Sequence, residues 1–194
     1  MVNWLIEHYI EVLGTLLSIA YLILSIKQNI LLWPLGILSA ALYVIVFYQS
    51  KFYADMGLNV YYLFISVYGW ASWASARNKT GEKMPVRKIR GRQLLMAAVS
   101  IIVLFVAIGL VLDHLTDSPL PYWDALTTSG SIVATWMLTR KYMEHWILWI
   151  AIDFISMGLY IYKGLYPTSI LFVIYTFMAF VGYIQWSKEL KMAV

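Results

Sequence analysis

Four side chains that could bind a cationic ligand recur at helical spacing in the second half of the chain. They are Trp146, Trp149, Asp153 and Tyr160, separated by steps of three, four and seven residues. Such steps place side chains on one face of an α-helix. A carboxylate between aromatic rings attracts a positively charged or heteroaromatic molecule through charge and stacking. The spacing therefore predicts a site for a small cation on this helix, with Asp153 at its centre.

The segment around Asp153 is apolar enough to lie in a membrane. An ionisable residue there costs roughly 2.5 to 3.5 kcal/mol on insertion scales and usually faces a cavity. The alternative for Asp153 is an interhelical hydrogen bond or a protonated buried acid. Trp146 lies near a helix start, where an interfacial anchor and a ligand are equally good interpretations. Trp149 lies a turn deeper, where stacking on a ligand ring is favoured.

The chain contains one sequence unit twice. A shift of 113 residues aligns residues 11–73 with residues 124–186 without a gap and brings rare residue types into register. The aligned pairs include Trp33 and Trp146, Tyr62 and Tyr175, Gly69 and Gly182, and Trp73 and Trp186. Internal repetition of this kind predicts a fold assembled from two copies of one structural unit.

The composition predicts an all-α integral membrane protein. Of 194 residues, 62% are hydrophobic and only 12% charged, and the mean hydropathy is +0.74. A hydrocarbon core of ~30 Å needs about 20 mostly apolar helical residues. Seven stretches meet this requirement: Ile10 to Ile26, Ile30 to Tyr48, Leu58 to Ala76, Leu94 to Leu112, Trp123 to Thr139, Trp146 to Tyr162 and Tyr166 to Trp186. We therefore expect seven transmembrane helices.

The repeat divides these seven helices into three, one and three. The expected boundaries are a first repeat at 1–76, a basic loop at 77–93, a linker helix with an outer loop at 94–121, and a second repeat at 122–194. Because helix five enters the membrane in the same direction as helix one, the two repeats are parallel. Parallel repeats place a substrate site at their interface near the bilayer midplane.

Side chains that differ between the repeats are the best candidates for contact with an asymmetric solute. In the first repeat the candidates are Asn29, Ser39, Tyr43, Gln49, Asn59 and Tyr62, with Tyr175 at the position equivalent to Tyr62. Asn59 differs from its partner, Phe172, and its alternative role is a helix-to-helix hydrogen bond. The two shared tyrosines favour packing, although they could also gate a pathway.

Basic residues set the expected orientation, since short loops rich in Lys and Arg stay in the cytoplasm. One connection carries Arg77, Lys79, Lys83, Arg87, Lys88, Arg90 and Arg92. The N-terminus is then outside and the C-terminus in the cytoplasm of a multi-pass inner-membrane protein, with Lys51 and Lys163 as exceptions. The alternatives are a nucleic-acid or an anionic-lipid patch; we interpret the basic cluster as a topology signal with no further role and expect no nucleic-acid partner.

The chain lacks the residues that several classes of function require. The chain has no cysteine, no glycine-rich phosphate loop, no histidine pair at metal spacing and no Ser-His-Asp set on one membrane face. We therefore expect no catalytic residue, metal or cofactor. A lipid-modifying membrane enzyme would need clustered carboxylates or histidines, and a non-transporting membrane adaptor would tolerate loss of Asp153 or Trp149.

Four elements carry a resemblance to a known family. They are Trp146-x-x-Trp149-x-x-x-Asp153, Tyr68-Gly69-Trp70-x-x-Trp73, Pro121-Tyr122-Trp123-Asp124 and Thr139-Arg140-Lys141-Tyr142. They resemble the Pnu vitamin transporters, and the resemblance covers essentially the whole chain. It implies the SWEET-like three-plus-one-plus-three fold and uptake by facilitated diffusion with alternating access. It also implies a homotrimer and trapping of the vitamin by a cytoplasmic vitamin kinase.

Three positions favour the thiamine branch of this family. Where nicotinamide riboside members commonly carry Asn, Gln and Asn, this chain has Asp153, Asn59 and Ser39. Both vitamins are cationic, but a carboxylate also accepts hydrogen bonds from the aminopyrimidine of thiamine. We therefore expect a thiamine transporter, with nicotinamide riboside as the alternative substrate.

Overall fold

A computed structural model describes residues 9–49, 53–81 and 83–192. Within these residues the chain forms seven α-helices. In order they are α1 (Tyr9–Ile26), α2 (Leu32–Gln49), α3 (Tyr53–Thr80), α4 (Arg92–Leu115), α5 (Pro121–Thr139), α6 (His145–Tyr162) and α7 (Tyr166–Met192). The all-α class and all seven predicted helices are confirmed. The main differences are at α3, which begins five residues before its predicted start, and α7, which continues six residues past its predicted end.

The chain divides into two compact units, residues 1–83 and 84–194. In the first unit α1 packs on α2 and α2 on α3; in the second, α4 packs on α5, α5 on α6 and α6 on α7. The sequence repeat reappears in the helix bounds, since a shift of 113 residues carries α2 onto α6 and the start of α3 onto the start of α7. The parallel, SWEET-like arrangement of the repeats stays a prediction.

The turn that follows the first helix of each repeat has the same backbone conformation. Gln28 and Lys141, at equivalent positions, have φ values of 52° and 53°. The Gln28 N–H donates to the Ser25 carbonyl over 3.0 Å, and the Lys141 N–H donates to the Leu138 carbonyl over 2.9 Å. A left-handed backbone costs a side-chain-bearing residue about 1 kcal/mol or more. Both turns therefore retain a disfavoured conformation that fixes how the helices reverse direction.

A tryptophan pair joins α2 to α3 in the first unit. Trp33, at the start of α2, is fully buried, and its ring lies against Gly69 of α3. Trp73, one turn further along α3, contacts Trp33 edge to face with ring centroids 5.3 Å apart. Glycine permits this close approach because any β-carbon there would occupy the space of the indole.

The second unit contains the same arrangement between α6 and α7. Trp146 is 1% exposed, lies against Gly182 and meets Trp186 edge to face at 5.8 Å. His145 adds a third ring, with centroids 4.5 Å from Trp146 and 4.7 Å from Trp186. The two helix pairs are therefore held by one repeated packing device, and the second copy is more aromatic.

The linker helix α4 packs along α5 and leaves most of its apolar surface exposed. Its contact face uses small residues, Ala97 and Gly109, which are buried. Ala97 belongs to a cluster with Val133 and Met137 of α5. Most of the apolar residues of α4 are exposed. Such a surface is suited to lipid, and the predicted role of α4 as a linker helix stays a prediction.

An extended segment, residues 84–90, precedes α4, and we call it the strap. The Arg87 N–H donates to the Lys141 carbonyl, and the Arg87 carbonyl accepts from the Met143 N–H, both over 2.9 Å. These two bonds form a parallel β-bridge with the turn that joins α5 to α6. The second half of the predicted basic loop is therefore bound to the second unit.

Side chains reinforce the strap on both sides of this bridge. The Ile89 N–H donates to Oε2 of Glu144 over 2.9 Å. Val86 and Ile89 are buried, and Ile89 packs into the cluster that includes Ala97 and Met137. Apolar burial and three hydrogen bonds thus hold a loop whose other side chains are mainly basic.

One predicted exception to the charge distribution has a partner. The ammonium of Lys163, in the turn after α6, lies 3.1 Å from a carboxylate oxygen of Asp124 in the first turn of α5. The Ser118 hydroxyl also donates to Asp124 over 2.8 Å. Lys51, the other exception, lies outside the described residues.

Candidate functional site

Helix α6 brings polar and aromatic side chains onto one face in the second unit. Trp149, Asp153 and Tyr160 lie at steps of four and seven residues along this helix. Ser156, which the sequence analysis did not single out, lies between Asp153 and Tyr160 on the same face and is buried. Its equivalent in the first unit is Tyr43, so both units carry a hydroxyl at this position. The face therefore offers a carboxylate, a hydroxyl and two aromatic rings.

Asp153 is the exceptional residue of this face. Its side chain is 5% exposed, and it forms no hydrogen bond or ion pair within the described part of the chain. The equivalent residue in the first unit is Ala40, which is buried as well. A buried carboxylate without a partner is strongly disfavoured unless a cation or a proton compensates it. Asp153 is thus a buried carboxylate for which the described chain supplies neither a cation nor a hydrogen-bond donor.

The indole of Trp149 is half-buried. Within the described residues it makes no aromatic ring contact and no hydrogen bond. Its equivalent in the first unit is Gly36, where a β-carbon would lie 3.0 Å from the Ser66 hydroxyl and 3.2 Å from a ring carbon of Tyr21. In the first unit, therefore, neighbouring side chains already fill the space beside this position.

Around this position, large and small residues are interchanged between the two units. The residues equivalent to Tyr21 and Ser66 are Ala134 and Ala179, which are 0% and 1% exposed. Large neighbours in the first unit require glycine at position 36. Because exchanges that conserve volume preserve packing, we expect the small residues of the second unit to leave room for the indole of Trp149.

Two of the predicted tyrosines meet through a phenylalanine. Tyr160 of α6 stacks on Phe172 of α7, with centroids 5.1 Å apart and an interplanar angle of 26°. Phe172 contacts Tyr175 edge to face at 5.6 Å. The three rings form an aromatic cluster that borders the α6 face. Sequence spacing alone did not indicate the contact, because the sequence marks Phe172 only as the residue equivalent to Asn59.

Trp146, seven residues before Asp153, is enclosed by neighbouring side chains. It is buried against Gly182 and Trp186, and its equivalent Trp33 has the same surroundings in the first unit. The indole nitrogen of each has no hydrogen-bond partner in the described part of the chain. This geometry favours packing for Trp146, a third role besides the interfacial anchor and ligand considered from the sequence.

Four of the first-unit candidates lie on two helices of their own unit. Ser39 and Tyr43 lie on α2, Asn59 and Tyr62 on α3, and all four are half-buried. The ring of Tyr43 covers Gly14 of α1. Their participation in one site with the α6 face stays a prediction.

Metal binding has no visible basis in the described chain. Among the residues that the structure describes, no group of three or more His, Cys, Asp or Glu side chains could hold a metal ion.

Several helices have the length and composition to cross a membrane. In the described residues three meet both requirements, Arg92–Leu115, His145–Tyr162 and Thr168–Met192, and two shorter apolar helices occur at Leu13–Ile26 and Leu32–Ile45. Asp153 lies in the middle of the second of these spans. A charged group at that depth marks a substrate or ion pathway in membrane proteins.

The fold and the site define a multi-pass membrane transport protein. A family model described as "Nicotinamide mononucleotide transporter" matches residues 8–188. The chain belongs to this family, which confirms the resemblance found in the sequence.

Known proteins are similar along most of the chain. The nicotinamide riboside transporter PnuC of Escherichia coli (strain K12) is 27% identical over 207 residues, which cover 94% of this chain and 87% of the relative. The riboflavin/roseoflavin transporter RibM of Streptomyces davaonensis is 25% identical, covering 91% and 83% of the two chains. A crystal structure titled as the vitamin B3 transporter PnuC superposes with a TM-score of 0.76 at 27% identity, covering 96% of this chain and 83% of the other.

Proposed function

We propose that this chain takes up nicotinamide riboside across the membrane. The observation that carries the proposal is the buried, unpartnered carboxylate of Asp153 on the same α6 face as the accessible indole of Trp149. The names of the E. coli relative and the structural neighbour support this choice of vitamin. They favour the substrate that the sequence analysis held as its alternative.

The chemistry of nicotinamide riboside suits this face of α6. Its pyridinium ring is permanently positive, and the carboxylate of Asp153 would compensate that charge. Stacking of the ring on Trp149 contributes about 0.5 to 2 kcal/mol when the site is desolvated. Ser156 supplies a hydroxyl for the carboxamide or the ribose. The predicted ligands Ser39, Tyr43, Asn59 and Tyr62 are each tested by an alanine variant.

Thiamine remains the second candidate because of one residue. The carboxylate of Asp153 accepts hydrogen bonds from an aminopyrimidine as well as compensating a thiazolium charge. The relatives described above carry no thiamine in their names, which is why thiamine, the expectation from sequence, takes second place.

The proposed mode is facilitated diffusion by alternating access. Uncoupled transport would be followed by phosphorylation of the vitamin by a cytoplasmic kinase, which prevents its return. The proposal keeps the predicted topology, with the C-terminus in the cytoplasm, and a homotrimer. Collapse of the proton gradient should leave counterflow in proteoliposomes unchanged, and a loss of counterflow would show that transport is coupled.

The test is a pair of titrations on the purified full-length protein. Quenching of tryptophan fluorescence by nicotinamide riboside and by thiamine should show riboside binding at least about ten-fold tighter, a difference of ~1.4 kcal/mol. Counterflow of the labelled vitamin in proteoliposomes should follow the same order. Tighter thiamine binding would move the chain to the second candidate.

Two variants connect the result to the α6 face. Asp153→Asn should weaken riboside binding, whereas Asp117→Asn, which changes an exposed carboxylate between α4 and α5, should not. Silence toward both vitamins, with the protein folded, would contradict a vitamin site. Unchanged transport by Asp153→Asn and Trp149→Ala would contradict the assignment of these residues.

A further inference from the structure

A basic recess lies in the second unit, away from the α6 face. Lys88 and Arg90 of the strap line it together with Leu190 and Lys191 at the end of α7. Its volume is about 580 Å³, and it opens to the surface. Three cations from two separate parts of the chain therefore surround one concave space.

Two of these cations, Lys88 and Arg90, lie on the same side of the strap. In an extended segment, residues two apart point in the same direction and the residue between them points the opposite way. Ile89 is 6% exposed and packs into the cluster under α4 and α5. Lys88 and Arg90 are both exposed. The hydrogen bonds of Arg87 and Ile89 hold this register, so the two cations point together away from the core.

The three cations have no anionic partner in the described residues. Lys88, Arg90 and Lys191 form no ion pair or side-chain hydrogen bond there. Like charges that share a recess repel one another, and an anion in it would relieve that repulsion. The arrangement thus favours a ligand with negative charge.

The recess lies near the ends of two long apolar helices. Lys191 lies one residue before the end of the membrane-spanning segment Thr168–Met192. Arg90 lies two residues before the segment Arg92–Leu115. The recess therefore lies where these two long apolar helices end, and phospholipid headgroups border the ends of such helices in a bilayer. Leu94 and Leu95, in the first turn of α4 a few residues after Arg90, have exposed side chains.

We propose that this recess binds the phosphate headgroup of an anionic phospholipid. Lys88, Arg90 and Lys191 would contact the phosphate oxygens, and Leu190 with the apolar surface of α4 would contact the first acyl carbons. Arginine and lysine at a membrane surface attract anionic lipids in this way. The apolar continuation along α4 favours a lipid over a free phosphate. The basic cluster thus has a binding role in addition to the topology signal expected from the sequence.

The experiment measures lipid binding to the full-length protein in a neutral detergent. Native mass spectrometry would count bound phosphatidylglycerol, with phosphatidylcholine as the neutral lipid and inorganic phosphate as a competitor. The recess variant carries Lys88→Gln, Arg90→Gln and Lys191→Gln. The matched control removes three other exposed cations of the predicted basic region through Arg77→Gln near the end of α3, Lys83→Gln and Arg87→Gln, since Arg87 uses only its backbone in the strap.

The proposal expects phosphatidylglycerol to bind the wild type and the control alike. The recess variant should bind it at least about ten-fold more weakly, because each basic residue near the surface contributes to lipid affinity. Phosphatidylcholine should not bind, and inorganic phosphate should not displace the lipid. Should the triple variant lose its monodisperse elution profile, Lys191→Gln alone serves, with an expected weakening of about five-fold.

Three outcomes would overturn the proposal. An equal loss in the control would mean that net charge alone attracts the lipid. Displacement by inorganic phosphate would identify a free anion as the ligand. Unchanged lipid binding in the recess variant, with the protein folded, would remove the site. None of these results depends on which vitamin the protein transports.

Discussion

A β-carbon on Gly182 would lie 2.5 Å from the Cζ2 atom of Trp146. The indole has no free space in which to retreat, because 1% of its surface is exposed and it contacts Trp186 and His145 on other sides. The relationship recurs between Gly69 and Trp33. Contact between α6 and α7 thus depends on the absence of one methyl group.

Gly182→Ala should destabilise the protein by about 1 to 3 kcal/mol, because the added methyl group overpacks the interface of α6 and α7. The control is Gly158→Ala on the exposed side of α6, where no atom lies within 4 Å of the new β-carbon. That change should leave stability equal or raise it by up to about 1 kcal/mol, since alanine is the better helix former. Thermal unfolding followed by size-exclusion chromatography gives both values. Equal melting temperatures for the two variants would refute the packing role.

Volume exchange around Trp149 predicts a coupled pair of substitutions. Trp149→Gly should lower stability by leaving a cavity, and Ala134→Tyr should lower it by overpacking. The double variant, which restores the pairing of Gly36 and Tyr21, should be more stable than the sum predicts by about 1 kcal/mol or more. A matched pair, Trp149→Gly with Gly158→Ala, should be additive. Additivity in both pairs would show that Trp149 and Ala134 do not share space.

Asp153→Asn should lower the affinity for nicotinamide riboside without lowering the stability of the protein. Removal of a buried carboxylate that lacks a partner should leave the melting temperature unchanged or raise it, because a neutral amide is easier to bury. Riboside affinity should fall by at least about ten-fold, since the compensating charge is lost. Thermal melting and ligand titration on the same preparation measure both effects. A lower melting temperature together with lower affinity would indicate a structural role for the carboxylate.

Glu144→Ala should loosen the strap. The variant removes a charge-assisted hydrogen bond to the Ile89 N–H, and such bonds contribute about 1.5 to 3 kcal/mol. Hydrogen exchange at the amides of Arg87 and Ile89 should become about ten-fold faster or more, while exchange within α6 is unchanged. Asp117→Ala is the control, as its exposed carboxylate lies in another connection. Unaltered exchange at both amides would mean that the backbone bridge alone holds the strap.

Hydropathy and the internal repeat sufficed to predict the helices, because lipid exposure imposes a long apolar run on every span. The ends of α3 and α7 were less predictable. Residues 187–192 of α7 include lysine, glutamate and leucine, which form helix well in water. A search for apolar runs stops where the membrane ends, although the helix does not. The strap was not predictable at all, since its partners are backbone atoms and one carboxylate far along the chain, which leave no sequence pattern.

The residues of the candidate site were likewise predictable only in part. Asp153 was identifiable because a charge within an apolar helix is rare in either repeat. The packing role of Trp146 had a signal in its counterpart Trp33, since shared residues maintain the fold. Ser156 was missed because serine is common in membrane helices, although its spacing from Asp153 pointed to the same face. Which side of α6 meets α7 depends on tertiary packing, and periodicity alone does not determine it.

The repeated tryptophan and glycine contacts also bear on how such proteins evolve. Both units use the same contacts for stability, while Gly36 and Ala40 in one unit correspond to Trp149 and Asp153 in the other. Positions of the proposed site can therefore change in one repeat while both repeats keep the shared packing. Gene duplication followed by divergence of a single copy would let a lineage acquire a different vitamin without losing a foldable protein.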